Sequence, residues 1–181
     1  HELFYSPFLT AITAALLAFD GLLLVHSRTA LLDLFLTLFI LIAAYFWFRQ
    51  QYWYASIFFG LALATKWSAL YFIFLFALVT LYKMYRENPD RQSLRTLGMR
   101  VLQFAILPFG IYLTSWVGWF ASNRGWDRTY ASNPFSSLIY YHKQMLEFHT
   151  SLVQNHAYQA NPWSWLIMGR PTSFYYESPK G

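Results

Sequence analysis

The sequence predicts an all-α fold: a polytopic transmembrane helical bundle followed by a more polar loop that carries one amphipathic helix. Three observations predict it. The 181 residues are 57% hydrophobic and only 12% charged, where soluble domains run near a quarter charged. Aromatic residues make up 22%, with 14 Tyr, 18 Phe and 8 Trp, a load that suits belts at membrane–water interfaces. The apolar residues also gather into runs long enough to be membrane segments. The mean hydropathy of +0.31 is modest, so a sizeable polar part must offset those runs.

Five apolar segments follow one another: Pro7 to Val25, Ala30 to Phe48, Tyr52 to Thr65, Ser68 to Tyr82, and Val101 to Phe120. A spanning helix needs about 20 residues. The first, second and fifth reach that length, and the third and fourth are shorter. One helix through residues 52–82 would reach about 45 Å at 1.5 Å per residue and would bury Lys66 near its middle. Two short helices joined near Lys66 instead place the ammonium at an interface or in a polar cavity, and this is the favoured reading.

Orientation follows from Lys and Arg. The short loop 83–100 holds Lys83, Arg86, Arg91, Arg95 and Arg100, which marks it as cytoplasmic. That basic run is a topology signal, and nothing in it points to nucleic acid. Alternation then sends Arg28, Asp33, Lys66 and everything from Ala121 onward to the extracytoplasmic face. The expected organisation is a membrane bundle over 1–120 and an extracytoplasmic loop over 121–181. In that loop Leu138, Tyr141, Met145, Phe148 and Leu152 recur at three- and four-residue steps. This is an amphipathic helix, capped by Ser136 or Ser137 after the break at Pro134, and it is expected to lie on the membrane surface. An aromatic, proline-rich stretch, NHAYQANPWSWLIMGRPTSFYY, follows. The chain opens on His1 without a signal-peptide pattern and reads as an internal stretch of a longer protein.

Ionisable groups at membrane depth are costly and are paired or functional. Arg28, Asp33 and Lys66 therefore stand out. A guanidinium forks onto phosphate oxygens and an ammonium adds a point charge, so Arg28 and Lys66 could hold a lipid-linked phosphate. The bland alternative pairs Arg28 with Asp33 and lets Lys66 snorkel. Asp20 could cap or pair locally. His142, His149 and His156 are seven apart, which does not give the i, i+4 chelate of a helical metal site; no metal is expected, and His142 or His149 could instead bind a sugar hydroxyl. Trp163 and Trp165 could stack on a sugar or peptide, or serve as an interfacial belt. Arg170 sits in a turn fixed by Gly169 and Pro171. The chain has no cysteine, which excludes disulfides and thiolate metal sites. Walker, GxGxxG, HExxH and GxSxG motifs are absent, so nucleotide chemistry is not supported.

The stretches FDGLLLVHSRTALLDLFLTLF, GLALATKWSALYF and YYHKQMLEFHTSL…HAYQANPWSWLIMGRPTSFYY, taken in this order, resemble the protein O-mannosyltransferase family, whose donors are dolichyl- or polyprenyl-phosphate mannose. The matching marks are the arginine before ALLD, the lysine–tryptophan pair of TKW, and NPWSW…GRP. The resemblance implies a glycosyltransferase of the GT-C class, here a partial GT-C fold. It would move mannose from a polyprenyl phosphate to Ser or Thr hydroxyls of exported proteins by an inverting displacement at the extracytoplasmic face. It needs no cofactor beyond that donor. Arg28 and Lys66 would then stabilise the leaving phosphate, with Asp33 orienting them. His142, His149, Trp163, Trp165 and Arg170 would serve the acceptor groove or a lid. The family's acidic Asp-Glu pair does not occur here and is expected upstream of His1, so the stretch alone is expected to be inactive. The missing β-trefoil insertion after Phe120 resembles the bacterial members, which implies a bacterial plasma membrane. Rival readings are a related GT-C transferase acting on lipid or glycan, a membrane transporter, and a structural scaffold.

Overall fold

A continuous apolar sequence leaves helix ends to be set by capping groups, and the first such group divides the first segment. In the computed structural model Pro7–Ala18 forms α1 and Gly21–Arg28 forms α2, so the expected single span over 7–25 is corrected to two short helices. Asp20 is the cause. Its Oδ1 accepts from Leu23 N–H at 2.8 Å, and this N-cap starts a new helix inside the apolar run. The structure describes residues 6–29, 31–87, 94–122, 124–153, 161–165, 167 and 169. Among them every regular element is helical. The chain divides into two compact units, His1–Ser122 and Asn123–Gly181.

In the first unit α3 (Leu32–Phe48) and α4 (Tyr52–Thr65) form a helical hairpin. Residues 49–51 make the turn, with Gln50 in the left-handed region at φ 59°. From α3, Leu36, Ile40, Ala43 and Trp47 enter the core at steps of four, three and four, one stripe of an α-helix. The central element is α4. Ala55, Ser56, Phe59, Gly60, Ala62 and Leu63 are all buried, and small side chains on several sides allow close helix approach. A Cβ on Gly60 would stand 2.7 Å from Ile111 Cβ, so this position needs glycine for backbone proximity.

Helix α4 ends at Thr65, and Lys66 is extended at φ −158°, ψ 136°. The chain restarts as α5 (Ala69–Glu87), which agrees with two helices meeting near Lys66. The expected loop 83–100 is largely corrected: α5 runs on to Glu87, and the next helix, α6, already spans Leu94–Val101. Hydropathy marks where apolar residues stop, whereas the hydrogen-bond ladder continues through Lys83 and Arg86. From α6 the chain passes through a π-turn, Leu102–Ile106, into α7 (Leu107–Ser115) and α8 (Val117–Ala121). Pro108 explains the π-turn. A proline clashes with the carbonyl four residues back, and Leu107 N–H instead reaches Leu102 O, five residues back.

Among the described residues two helices are long and apolar enough to cross a membrane, Ala69–Arg86 and Leu94–Ala121. The outer faces are apolar too: Leu70, Tyr71, Phe74 and Leu75 of α5 are all more than half exposed. A helix that is apolar on its outer face suits lipid, not water, and the unit is an all-α membrane fragment.

The second unit is built on α9 (Pro134–Ser151), followed by α10 (Pro162–Trp165). The expected Ser136 or Ser137 cap is corrected: Asn133 caps, its Oδ1 accepting from Phe135 N–H at 2.9 Å, and Pro134 opens the helix because its missing N–H costs nothing at that position. Ser137 is fully buried, and its Oγ accepts from Ala131 N–H at 3.0 Å. Tyr130 and Tyr140 stack at 3.6 Å. Of the expected stripe, Leu138 is buried and Tyr141 and Met145 are half-buried, while Phe148 and Leu152 are exposed.

Candidate functional site

Antiparallel pairing of α3 and α4 brings the first turn of one beside the last turn of the other. The residues there are Asp33 and Lys66. Lys66 Nζ donates to Asp33 Oδ1 at 2.7 Å, across 33 positions of sequence. Each side chain is nearly half exposed. Both charges also suit their helix ends, a carboxylate at an N-terminus and a cation at a C-terminus. The extended backbone at Lys66 frees its side chain from the α4 ladder and aims it across to α3.

Arg28 closes α2, five residues before Asp33, and is exposed. The bland pairing of Arg28 with Asp33 does not form; Lys66 takes the carboxylate. Among the described residues Arg28 has no ion pair or hydrogen-bond partner. Its five N–H donors are therefore available to an anion at the same end of the bundle. His26, two residues earlier on α2, lies within electrostatic reach of Asp33. Reading the sequence missed it, although it stands two residues from Arg28 in HSR. Also missed was a latch beside Lys66: Trp67 Nε1 donates to the hydroxyl of buried Tyr112 on α7 at 3.1 Å. It ties the α4–α5 break to the neighbouring helix, and only a pairing 45 residues apart reveals it.

The acceptor-loop candidates belong to the second unit. His142 Nδ1 donates to Leu138 O at 2.8 Å, so its ring is fastened to its own helix. His149 is exposed in the last turn of α9, its ring edge-on to Phe148. Trp163 is 79% exposed on α10. The Trp165 side chain, His156 and Arg170 lie outside the described residues. Among the described residues no group of three His, Cys, Asp or Glu is placed to hold a metal.

A family model described as dolichyl-phosphate-mannose-protein mannosyltransferase matches residues 1–117, more than half of the chain. The chain belongs to that family. The matched stretch contains Arg28, Asp33, Lys66, Trp67 and Tyr112, whereas His142, His149 and Trp163 lie beyond it. Relatives agree. The chain is 31% identical to a polyprenol-phosphate-mannose–protein mannosyltransferase of Corynebacterium glutamicum, over 94% of this chain and 44% of that protein. It is 30% identical to one from Mycolicibacterium smegmatis, over 93% and 43%, and 28% identical to one from Mycobacterium tuberculosis, again over 93% and 43%. The chain thus spans less than half the length of the curated relatives it matches. No solved structure matches it.

Proposed function

We propose that this mannosyltransferase-family chain is the phosphate-holding membrane part of an enzyme that transfers mannose from a polyprenyl-phosphate donor to Ser or Thr hydroxyls of exported proteins. The carrying observation is the Lys66–Asp33 pair at 2.7 Å, with exposed Arg28 five residues before Asp33 in the sequence. Family membership supports it, as do the names of the relatives, which specify a polyprenol-phosphate-mannose donor and a protein acceptor.

In this reading the chain crosses a bacterial plasma membrane several times. The Arg49, Lys83 and Arg100 end faces the cytoplasm, by the excess of Lys and Arg there. The Arg28–Asp33–Lys66 end and residues 121–181 face outward, where lipid-linked mannose and exported protein meet. The acceptor hydroxyl attacks the anomeric carbon while the polyprenyl phosphate leaves. The phosphate gains negative charge as the glycosidic bond breaks, and fixed cations stabilise that charge more than they stabilise the ground state. Arg28 supplies a planar fork to two phosphate oxygens. Lys66 keeps two N–H donors beyond the one given to Asp33, and Asp33 holds the ammonium in place. The base that takes the acceptor proton is not assigned to this stretch. The second unit supplies acceptor contacts, with His149 and Trp163 the exposed candidates and His142 a weaker one. No cofactor enters beyond the donor.

The experiment is mannose transfer by the full-length enzyme from polyprenyl-phosphate mannose to a Ser/Thr peptide. Lys66→Ala should cut turnover by about 10²-fold while leaving the detergent-extracted protein folded. A folded Lys66→Ala enzyme with unchanged turnover would overturn the phosphate role.

A further inference from the structure

Lys66 is extended, at φ −158° and ψ 136°, between two helices. Its N–H donates back to Ala62 O at 3.0 Å, the last bond of α4, and its carbonyl accepts from Ala69 N–H at 3.0 Å, where α5 begins. A continuous helix would keep the hydrogen-bond ladder whole, so something must hold this break open. The Lys66–Asp33 pair acts from one side. Each of its side chains is nearly half exposed, and an ion pair wetted to that degree holds weakly. A lysine stem is also flexible, so the carboxylate alone does not fix where the ammonium sits.

The other side is held by the next residue. Trp67 Nε1 donates to the Tyr112 hydroxyl at 3.1 Å. The Trp67 side chain is half-buried and packs against the hydrophobic core. Tyr112 is only 6% exposed, with its ring against Phe109 at 6.1 Å and Trp116 at 6.2 Å. Its neighbour Ile111 meets the backbone of α4 at Gly60, where a Cβ would stand 2.7 Å from Ile111 Cβ. Helix α7 is therefore seated closely on α4, and Tyr112 offers a fixed point against which Trp67 is held. Consecutive Cα atoms are only about 3.8 Å apart, so a fixed Trp67 fixes the backbone from which the Lys66 side chain departs. Lys66 thus lies between two ties of different chemistry: its Nζ to α3, and through Trp67 to α7.

We infer, on the basis of the phosphate role proposed for Lys66, that Tyr112 is a positioning residue of the transfer reaction. Its hydroxyl, through Trp67, holds the α4–α5 break in the form that presents the Lys66 ammonium to the departing phosphate. The contribution belongs to turnover more than to donor affinity. The phosphate gains charge only as the glycosidic bond breaks, and a displaced ammonium loses most at that point.

The test is kinetic and uses the full-length enzyme with polyprenyl-phosphate mannose and a Ser/Thr peptide. Tyr112→Phe keeps the ring and removes the hydroxyl. It should lower kcat about fivefold, the scale of one buried hydrogen bond, with the KM for the donor nearly unchanged. In a Lys66→Ala background the same substitution should cause no further loss, because residues acting through one group are not additive. Thr80→Val is the control. It removes a buried bond at the other end of the bundle, from Trp47 Nε1 to Thr80 Oγ1 at 2.8 Å, and should lower the thermal midpoint as Tyr112→Phe does while keeping wild-type kcat. A folded Tyr112→Phe enzyme with wild-type kcat would overturn the inference, as would a loss that persists in full in the Lys66→Ala background. A Thr80→Val enzyme slowed as much as Tyr112→Phe would also overturn it, since general loosening would then explain both. Full turnover in Lys66→Ala alone would strike the phosphate role itself and this inference with it, a result distinct from the other three.

Discussion

The two ends of the helical bundle hold their cations in opposite ways. At the turn of the α3–α4 hairpin, Arg49, Lys83 and Arg100 lie over Tyr45, Trp47 and Tyr52. At the other end Lys66 is held by a carboxylate at 2.7 Å, and Arg28, five residues before that carboxylate in the sequence, is exposed. A ring fixes a cation's position at low cost and leaves its charge in place. A carboxylate fixes it more tightly and balances it, so a second charge is needed before the site attracts an anion. In the proposed reading Arg28 is that second charge. The difference teaches what each end is suited to: one to a steady electrostatic attachment, the other to an anion whose charge rises and falls during a reaction.

Removing the carboxylate makes the Asp33 end resemble the other. Asp33→Asn in the full-length enzyme should lower kcat by about tenfold, the scale of one hydrogen bond to a charged group. Combined with Lys66→Ala it should add little, because the carboxylate acts through the ammonium. Additive losses in that double-mutant cycle would detach Asp33 from Lys66.

The smaller effect concerns the helix that joins the ends. Tyr52 begins α4 and Lys66 follows its last residue, so α4 sets the position of both. Gly60→Ala forces a Cβ to 2.7 Å from Ile111 Cβ and should cost about 1–3 kcal/mol, seen as a lower unfolding midpoint in detergent. Adding Ile111→Ala should recover part of the loss. If Gly60→Ala is neutral, α4 and α7 do not approach as closely as this packing requires.

Much of this contrast could be read from the chain, and its limits have physical causes. The bounds of α4 follow from an apolar run between polar residues, and the break at Lys66 follows from the cost of burying an ammonium in mid-helix. The division at Asp20 was less legible, because an apolar run hides a cap whose effect is one local hydrogen bond. The helix ends at Glu87 and Leu94 are not legible in hydropathy, because a helix continues past the point where its residues become polar. Pro134 reads as a break in the sequence, yet a proline is well suited to begin a helix, and here it does. Arg28, Asp33 and Lys66 were singled out by charge alone. Which partner Asp33 takes was not legible, because the pair spans 33 residues and depends on how α3 and α4 pack. His26 and the Trp67–Tyr112 latch escaped for the same reason: each gains its meaning from a neighbour on another helix.

The central claim is that the end without ring-shelved cations performs the phosphate chemistry, and Arg28 tests it most directly. Turnover of polyprenyl-phosphate mannose should be compared in full-length Arg28→Ala, Arg28→Lys and Arg49→Ala enzymes, with folding checked by thermal unfolding. Arg28→Ala should lose about 10²-fold in kcat with its midpoint unchanged. Arg28→Lys should recover only part, since an ammonium cannot make the two-oxygen contact. Arg49→Ala, at the opposite end, should turn over as wild type does. A folded Arg28→Ala enzyme with turnover equal to that of Arg49→Ala would contradict the assignment and return Arg28 to the role of a helix-terminal charge.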